Sequence, residues 1–345
     1  MDVIFGVCSE KRIPVFRLIA DLLLDERGCP FFASSGEESI LIKGKEDAPL
    51  RGEKKCVGVT IRRGNCFYFD EGGEVVVGVG EAYGTKRLKE FAEGLLEAAR
   101  RDKVGDFMRR SEAEVAALLL RSDCIMAIRD ELGCRTLYYG SGSGVVAFSN
   151  RRSVVEKVGL EARVAPPGAT IKASGGEIRG VNVWRRVPES YDKSLRLERV
   201  VEELSPIFKD AVLKRSRGNV GVLFSGGLDS TLIASILSEL GVRCRLYCSG
   251  VNGSKDVENA TSTAREIGLE VKVRYISEEE LEDVLPVMVK IVGGDVLNVE
   301  LSIPLLFVLD AALKDRCSFV MNGTGADELF GGYSRFVSVL KERGY

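Results

Sequence analysis

Six consecutive residues, Ser225, Gly226, Gly227, Leu228, Asp229 and Ser230, have the chemistry of an anion-binding loop. Two glycines leave the backbone bare, so several N–H groups can converge on an oxyanion. Ser225 and Ser230 add hydroxyl donors. Asp229 would repel bare phosphate, which makes sense if its carboxylate holds a divalent cation. A glycine turn ahead of an ordinary helix cap is the plainer reading, and the complete string in its strand-to-helix position argues against it. No Gly-Lys-Ser/Thr follows, so the string is not a Walker A loop. About a hundred residues on, Asn322 to Tyr333 forms a second glycine-rich string that carries Thr324, Asp327 and Glu328. The two carboxylates invite a catalytic reading and equally fit the first turn of a helix, so both readings stay open.

Loops of this kind need a frame. Asn219–Phe224 reads as a buried strand, Leu228–Leu240 as a helix stopped by Gly241, and Arg243–Cys248 as a second strand. Helices are expected over 257–267, 277–292 and 304–314, with strands at 270–276 and 317–321. Strands alternating with helices imply a parallel sheet, whose ligands bind at the carboxyl ends of its strands. A helix over 197–215 precedes the frame, and the polar, unpatterned stretch 186–196 reads as a linker.

Residues 1–185 have another texture, strand-rich and punctuated by glycines. Val75–Val79 and the runs 124–128, 136–139 and 145–148 read as strands, and 87–101 as a helix with Leu88, Phe91, Leu95 and Leu96 on one stripe. Ser111 to Glu114 resembles a capped helix start leading into Val115–Leu120.

Bulk properties narrow the chemistry. The 345 residues suit two domains. A net charge of -2 offers no basic field for nucleic acid. No run approaches the roughly 18 apolar residues of a membrane span, and Asp2 sits where a signal peptide is basic. A cytoplasmic protein is expected. There is no histidine, which excludes Ser-His-Asp and Cys-His mechanisms. Nine scattered cysteines without a C-x-x-C pair read as small core hydrophobes, not as a zinc ribbon or disulfide framework.

The Ser225–Ser230 string resembles the pyrophosphate loop of ATP pyrophosphatases, and Asn322–Tyr333 is similar to the second signature of asparagine synthetases. The resemblance implies an α/β protein. An N-terminal Ntn-hydrolase-like αββα domain, degenerate, would occupy 1–185, and a parallel-sheet adenine-nucleotide α-hydrolase-like (PP-loop) domain 197–345. It implies ATP held by Leu223, Ser225 to Ser230, Ser249, Gly250, Asn322 and Gly323, and Mg²⁺ held by Asp229 and Asp295. It further implies an AMP-forming ligase in which a carboxylate, aspartate first among candidates, is adenylated and then taken by ammonia.

Three features depart from the family pattern. Stretches 127–139, 147–149 and 164–168 resemble the family's glutaminase domain, but Asp2 stands where its N-terminal cysteine nucleophile belongs and Cys8 lies six residues on. A dead glutaminase is expected, with Cys8 in a buried strand. Thr324 stands where asparagine synthetases place a carboxylate, which puts aspartate as substrate in question. The sequence stops at Tyr345, where the family continues with a helical segment bearing a catalytic lysine. A truncated product, a partner chain or homodimer supplying that segment, and an incomplete ligation are all compatible with it. Lys290, Lys314 and Lys341 read as solvated helix residues, not substitutes for the lysine. The competing functions are a silent nucleotide-binding regulatory subunit, a related lactam or amide synthetase, and an RNA-base-modifying ATP pyrophosphatase. The near-neutral charge weighs against the last.

Overall fold

A long buried strand and its neighbours set the architecture of the first part of the molecule. The computed structural model describes residues 3–13, 31–35, 39–42, 53–60, 65–85, 87–185, 192, 194–292 and 295–343. The chain divides into two compact units, Met1–Tyr191 and Asp192–Tyr345. Most of the expected linker, together with Asp2, Cys29, Gly293 and Gly294, lies outside the described residues.

In the first unit the strands are β1 (Ile4–Ile13), β2 (Phe31–Ser34), β3 (Ser39–Ile42), β4 (Glu53–Thr60), β5 (Cys66–Glu71), β6 (Glu74–Ala82), β7 (Ala113–Leu120), β8 (Ile125–Arg129), β9 (Tyr138–Gly142), β10 (Val145–Ser149), β11 (Arg163–Val164), β12 (Ala169–Ser174) and β13 (Glu177–Val183). They form two antiparallel sheets, ordered β11-β9-β10-β1-β4-β2-β3 and β13-β12-β8-β7-β6-β5. Ile4, Cys8, Val57 and Phe148 of one sheet meet Val75, Val77, Leu118 and Ile171 of the other in one core. Helix α1 (Leu88–Arg100) covers the far face of the second sheet with Phe91, Leu95 and Leu96, and α2 (Val104–Arg110) adds Met108. Helix α3 (Arg152–Lys157) packs on the first sheet, where Gly140 leaves room for Val155.

The expected helix over 111–120 is a strand instead. Its residues alternate between two cores: Ala116, Leu118 and Leu120 enter the inter-sheet layer, while Val115, Ala117 and Leu119 meet α1. A run apolar on every residue carries no period, so its neighbours β6 and β8 decide its conformation. Of the cysteines, Cys8, Cys56, Cys124 and Cys248 are buried, and all eight among the described residues are free thiols. Burial pushes the Cys124 and Cys248 thiols up to about 11, which suits core residues better than nucleophiles.

The second unit contains α4 (Leu197–Arg215), β14 (Val220–Leu223), α5 (Leu228–Glu239), β15 (Cys244–Gly250), α6 (Lys255–Glu266), β16 (Val271–Tyr275), α7 (Glu278–Val292), α8 (Val296–Lys314), β17 (Phe319–Met321), α9 (Ala326–Phe330) and α10 (Ser334–Arg343). Its sheet is parallel, ordered β16-β15-β14-β17. Ile233, Ala234, Leu237, Ala260 and Ala264 of α5 and α6 bury one face against Val220 and Val222. Val308, Ala311 and Ala312 of α8 bury the other face against Tyr247.

Helix α8 begins eight residues before the expected start, leaving Pro304 inside it. Asp295 supplies the N-cap by accepting the Asn298 N–H at 3.0 Å, so the proline is an interior interruption and not a first-turn residue. The expectation that no run approaches a membrane span needs correcting here. Val296–Lys314 is long and apolar enough to cross a membrane by length and composition. Val299, Ile303 and Phe307 pack against Ile276 and Met288, while Val296, Leu297, Leu301 and Leu313 of the same helix are exposed.

Candidate functional site

The order β16-β15-β14-β17 reverses direction at β14, whose chain successor β15 lies on one side and whose other neighbour, β17, on the opposite side. A crevice forms at the carboxyl ends of the strands at such a reversal. Here it falls between the loop after β14, residues 225–230, and the loop after β17, residues 322–325. The pairing of Val222 with Met321 puts the two strand ends level.

The first loop is shaped by close approach. Gly226 has φ +74°, and a Cβ there would sit 2.6 Å from the Asn259 carbonyl oxygen of α6. Thr263 Oγ1 donates to the Gly226 carbonyl at 3.3 Å, so α6 holds the loop from behind. Ser225 and Ser230 hydroxyl oxygens lie 3.3 Å apart, Gly227 N–H points to Ser225 Oγ at 3.3 Å, and Ser230 Oγ donates to the Gly227 carbonyl at 3.2 Å. These contacts sit at the long end of hydrogen-bond geometry, which leaves the donors exchangeable for an oxyanion. Gly227 is the N-cap of α5 and makes no side-chain cap hydrogen bond. The first N–H groups of a helix have no intrahelical partner, and with the helix dipole they favour an anion. Leu228, just inside, is 83% exposed.

The second loop meets the first at one point. A Cβ on Gly323 would lie 2.6 Å from Asp229 Cβ and 3.2 Å from Ser230 N. Only glycine therefore lets the 322–325 loop touch the start of α5. Asn322 Oδ1 accepts the Thr324 N–H at 2.9 Å, which fixes that turn. Gly325 and Gly331, with φ of +105° and +75°, bracket α9. Asp327 and Glu328 occupy its first turn, where acidic residues complement the dipole. Glu328 also accepts the Tyr333 hydroxyl at 2.8 Å, and this bond holds its carboxyl below the usual carboxylate range. Arg335 stacks 4.4 Å over the Tyr333 ring.

Leu223 and Gly250 end β14 and β15. Ser249 is buried, and its hydroxyl donates to the Pro304 carbonyl at 2.7 Å. Asp229 is half-buried in the first turn of α5. The Asp295 carboxylate is occupied as the α8 cap. Among the described residues no group of three His, Cys, Asp or Glu side chains is arranged to hold a metal ion. Two hydroxyls near the strand ends, Thr231 Oγ1 and Ser254 Oγ, are buried without a hydrogen-bond partner, so this end of the unit carries polar capacity its own fold does not use. Reading by motif missed Asn259 and Thr263. Their only sequence signal is indirect, the need of Gly226 for a bare backbone. An apolar cavity of about 410 Å³ between α4 and α5, reaching Phe330, includes none of the loop residues.

Residues 203–344 match the family model described as asparagine synthase. The chain is 30% identical over 235 residues to a putative asparagine synthetase (glutamine-hydrolyzing) of Methanocaldococcus jannaschii, covering 63% of this chain and 43% of that protein. It is 27% identical over 324 residues to the asparagine synthetase (glutamine-hydrolyzing) of Asparagus officinalis, covering 88% of this chain and 53% of that protein. The chain thus spans about half the length of the relatives it matches. Among solved structures, a glutamine phosphoribosylpyrophosphate amidotransferase from B. subtilis aligns with 93% of this chain at 12% identity and a TM-score of 0.42, too loose a likeness to weigh on the site. Residues 203–344 thus carry the asparagine synthase signature, and the chain is similar to asparagine synthetases over the stretches these relatives share with it.

Proposed function

We propose that this chain is an ATP-dependent, AMP-forming ligase that activates a carboxylate for amide formation with ammonia, L-aspartate being the first candidate. The observation that carries the reading is the junction of Gly323 with Asp229 and the Ser230 N–H, which sets the turn after the neighbouring strand against the uncapped start of α5, whose loop also carries the Ser225 and Ser230 hydroxyls. This set fits a nucleotide's phosphates: bare backbone at Gly226 and Gly227, N–H donors at the start of α5, and hydroxyls in weak bonds only. Leu223, Ser249, Gly250, Asn322 and Gly323 border the same crevice, where an adenosine would lie.

In the proposed reaction the substrate carboxylate attacks the α-phosphorus of ATP, the bond to the β-phosphate oxygen breaks and pyrophosphate leaves. The amine then attacks the acyl carbon and AMP departs. The Ser225–Ser230 donors would stabilise charge gathering on pyrophosphate. Asp229 has the chemistry to hold Mg²⁺, which when bound neutralises phosphate charge. Asp295 would have to exchange its capping bond to take part. Thr324 brings a hydroxyl where a carboxylate would activate aspartate, the Asp327 carboxylate lies against Gly332, and Glu328 is engaged by Tyr333. The first unit, under this proposal, is a degenerate glutaminase-type domain without a working nucleophile, its Cys8 wholly buried in β1.

Two observations favour a second reading, a nucleotide-binding subunit without turnover: the uncharged Thr324 and the committed Asp295. ATP–pyrophosphate exchange separates the two. With Mg²⁺ and a panel of carboxylic acids headed by L-aspartate, exchange dependent on one acid and lost in Asp229→Ala is expected. ATP binding without exchange for any acid would replace the ligase with the silent subunit.

A further inference from the structure

The strands that carry the Ser225 loop at their carboxyl ends frame a second concavity at their amino ends. Val220 pairs with Cys244 on one side and Phe319 on the other, so the starts of β15, β14 and β17 stand abreast. Around them Asn219, Arg243, Cys244, Arg245, Asp315 and Cys317 line a cavity of about 410 Å³. That volume falls within the roughly 300–1,000 Å³ of small-molecule pockets. β14 runs from Val220 in the cavity wall to Leu223 just ahead of Ser225, so at about 3.3 Å per residue roughly 15 Å separates the cavity from the nucleotide loop.

Its charge is unbalanced. Asp315 is the single carboxylate among the lining residues. Lys272 takes both its oxygens, at 2.9 and 2.8 Å, and the buried Tyr247 hydroxyl donates to Oδ2 at 2.9 Å. Arg245 stands 3.6 Å from the same oxygen, within ion-pair range but beyond a hydrogen bond. One carboxylate therefore serves Lys272 and Tyr247 before Arg245, and Arg243 adds another guanidinium to the same wall. Guanidinium forks match the oxygen pairs of carboxylate and phosphate groups.

We propose that this cavity is a second binding site, separate from the Ser225 loop, for a small molecule bearing a carboxylate or phosphate group gripped by Arg243 and Arg245. Cys244 and Cys317 in its wall serve as reporters, since a seated ligand shields them.

The test is titration calorimetry of the full chain with inorganic phosphate and, separately, with citrate, at constant ionic strength. Wild type is compared with Arg243→Ala, Arg245→Ala and Arg243→Lys, and iodoacetamide labelling of Cys244 and Cys317 is read peptide by peptide. The site predicts saturable binding of at least one probe, weakened about tenfold or more in each alanine variant and partly restored in Arg243→Lys. Labelling in wild type should slow with the same probe. Binding of phosphate alone identifies a phosphate ligand, and of citrate alone a carboxylate ligand. No saturable binding, affinity unchanged in both alanine variants, or labelling unaffected by a bound probe would each overturn the proposal. Anion binding at the Ser225 loop survives the arginine substitutions and so cannot imitate the expected result. Should an alanine variant fail to fold, Arg243→Lys and the labelling in wild type decide.

Discussion

Arg129 with Asp130 and the Ser225 loop both belong to polar strings that stand out in the sequence, yet they use their hydrogen bonds in opposite ways. In the first unit Arg129 is buried and spends its guanidinium on three carbonyls: Nε to Arg135 at 2.9 Å, Nη1 to Ala165 at 2.6 Å and Nη2 to Gly133 at 2.8 Å. Asp130, also buried, accepts the Cys134 and Arg135 N–H groups at 2.8 and 2.9 Å. The pair stitches the 130–137 turn to the 165–168 turn, and little donor capacity remains for anything else. In the second unit the loop donors make only long contacts with one another, and the helix behind them is uncapped. A polar group whose bonds are consumed by its own backbone holds the fold, whereas one left with unused capacity is available to a ligand.

The largest effect expected from this contrast is on Arg129→Ala. It strands three carbonyls in a buried turn and should cost the first unit about 3–5 kcal/mol. Trp184 is the chain's single tryptophan and lies buried in that unit, so its fluorescence during urea unfolding reads the loss there. ATP affinity of the second unit should stay within about twofold; a large fall would erase the contrast. Next in size is Gly323→Ala. The added Cβ collides with Asp229, the loops must part, and nucleotide affinity should drop about tenfold or more. The Trp184 transition should not move. An unchanged affinity would show that the two loops do not form one site.

The smallest effect concerns charge. Burial of Glu74 acts to raise its carboxyl, but Arg100 and Arg121, at 2.7 and 2.9 Å, outweigh burial and leave it below the ordinary value of 4.5. A depressed carboxylate contributes stability that is present above its unfolded pKa and lost as pH falls through the folded one. Glu74→Gln should therefore lower first-unit stability at pH 7 by about 1 kcal/mol, with the difference from wild type shrinking as pH drops below 4.5. A difference that persists there would mean packing, not charge, is responsible.

Local chemistry and period made much of this molecule legible from its residues. The alternating apolar strands and helices of 197–321, the stripe of Phe91, Leu95 and Leu96, and the two glycine-rich strings carry their own signals. Those signals are short-range: backbone freedom, helix period, and donors grouped within six residues. Other features depended on neighbours far along the chain. Val115–Leu120 became a strand because cores lie on both of its faces. Pro304 became helical interior because Asp295 caps nine residues earlier. Gly323 came to rest on Asp229, and Arg243 and Arg245 came to share a wall with Cys317, because the order β15-β14-β17 sets distant strand ends side by side. The sequence alone determined which residues could bind an oxyanion. Tertiary structure decided which of them keep that capacity, since a donor is free for a ligand only when folding has left it without a closer partner.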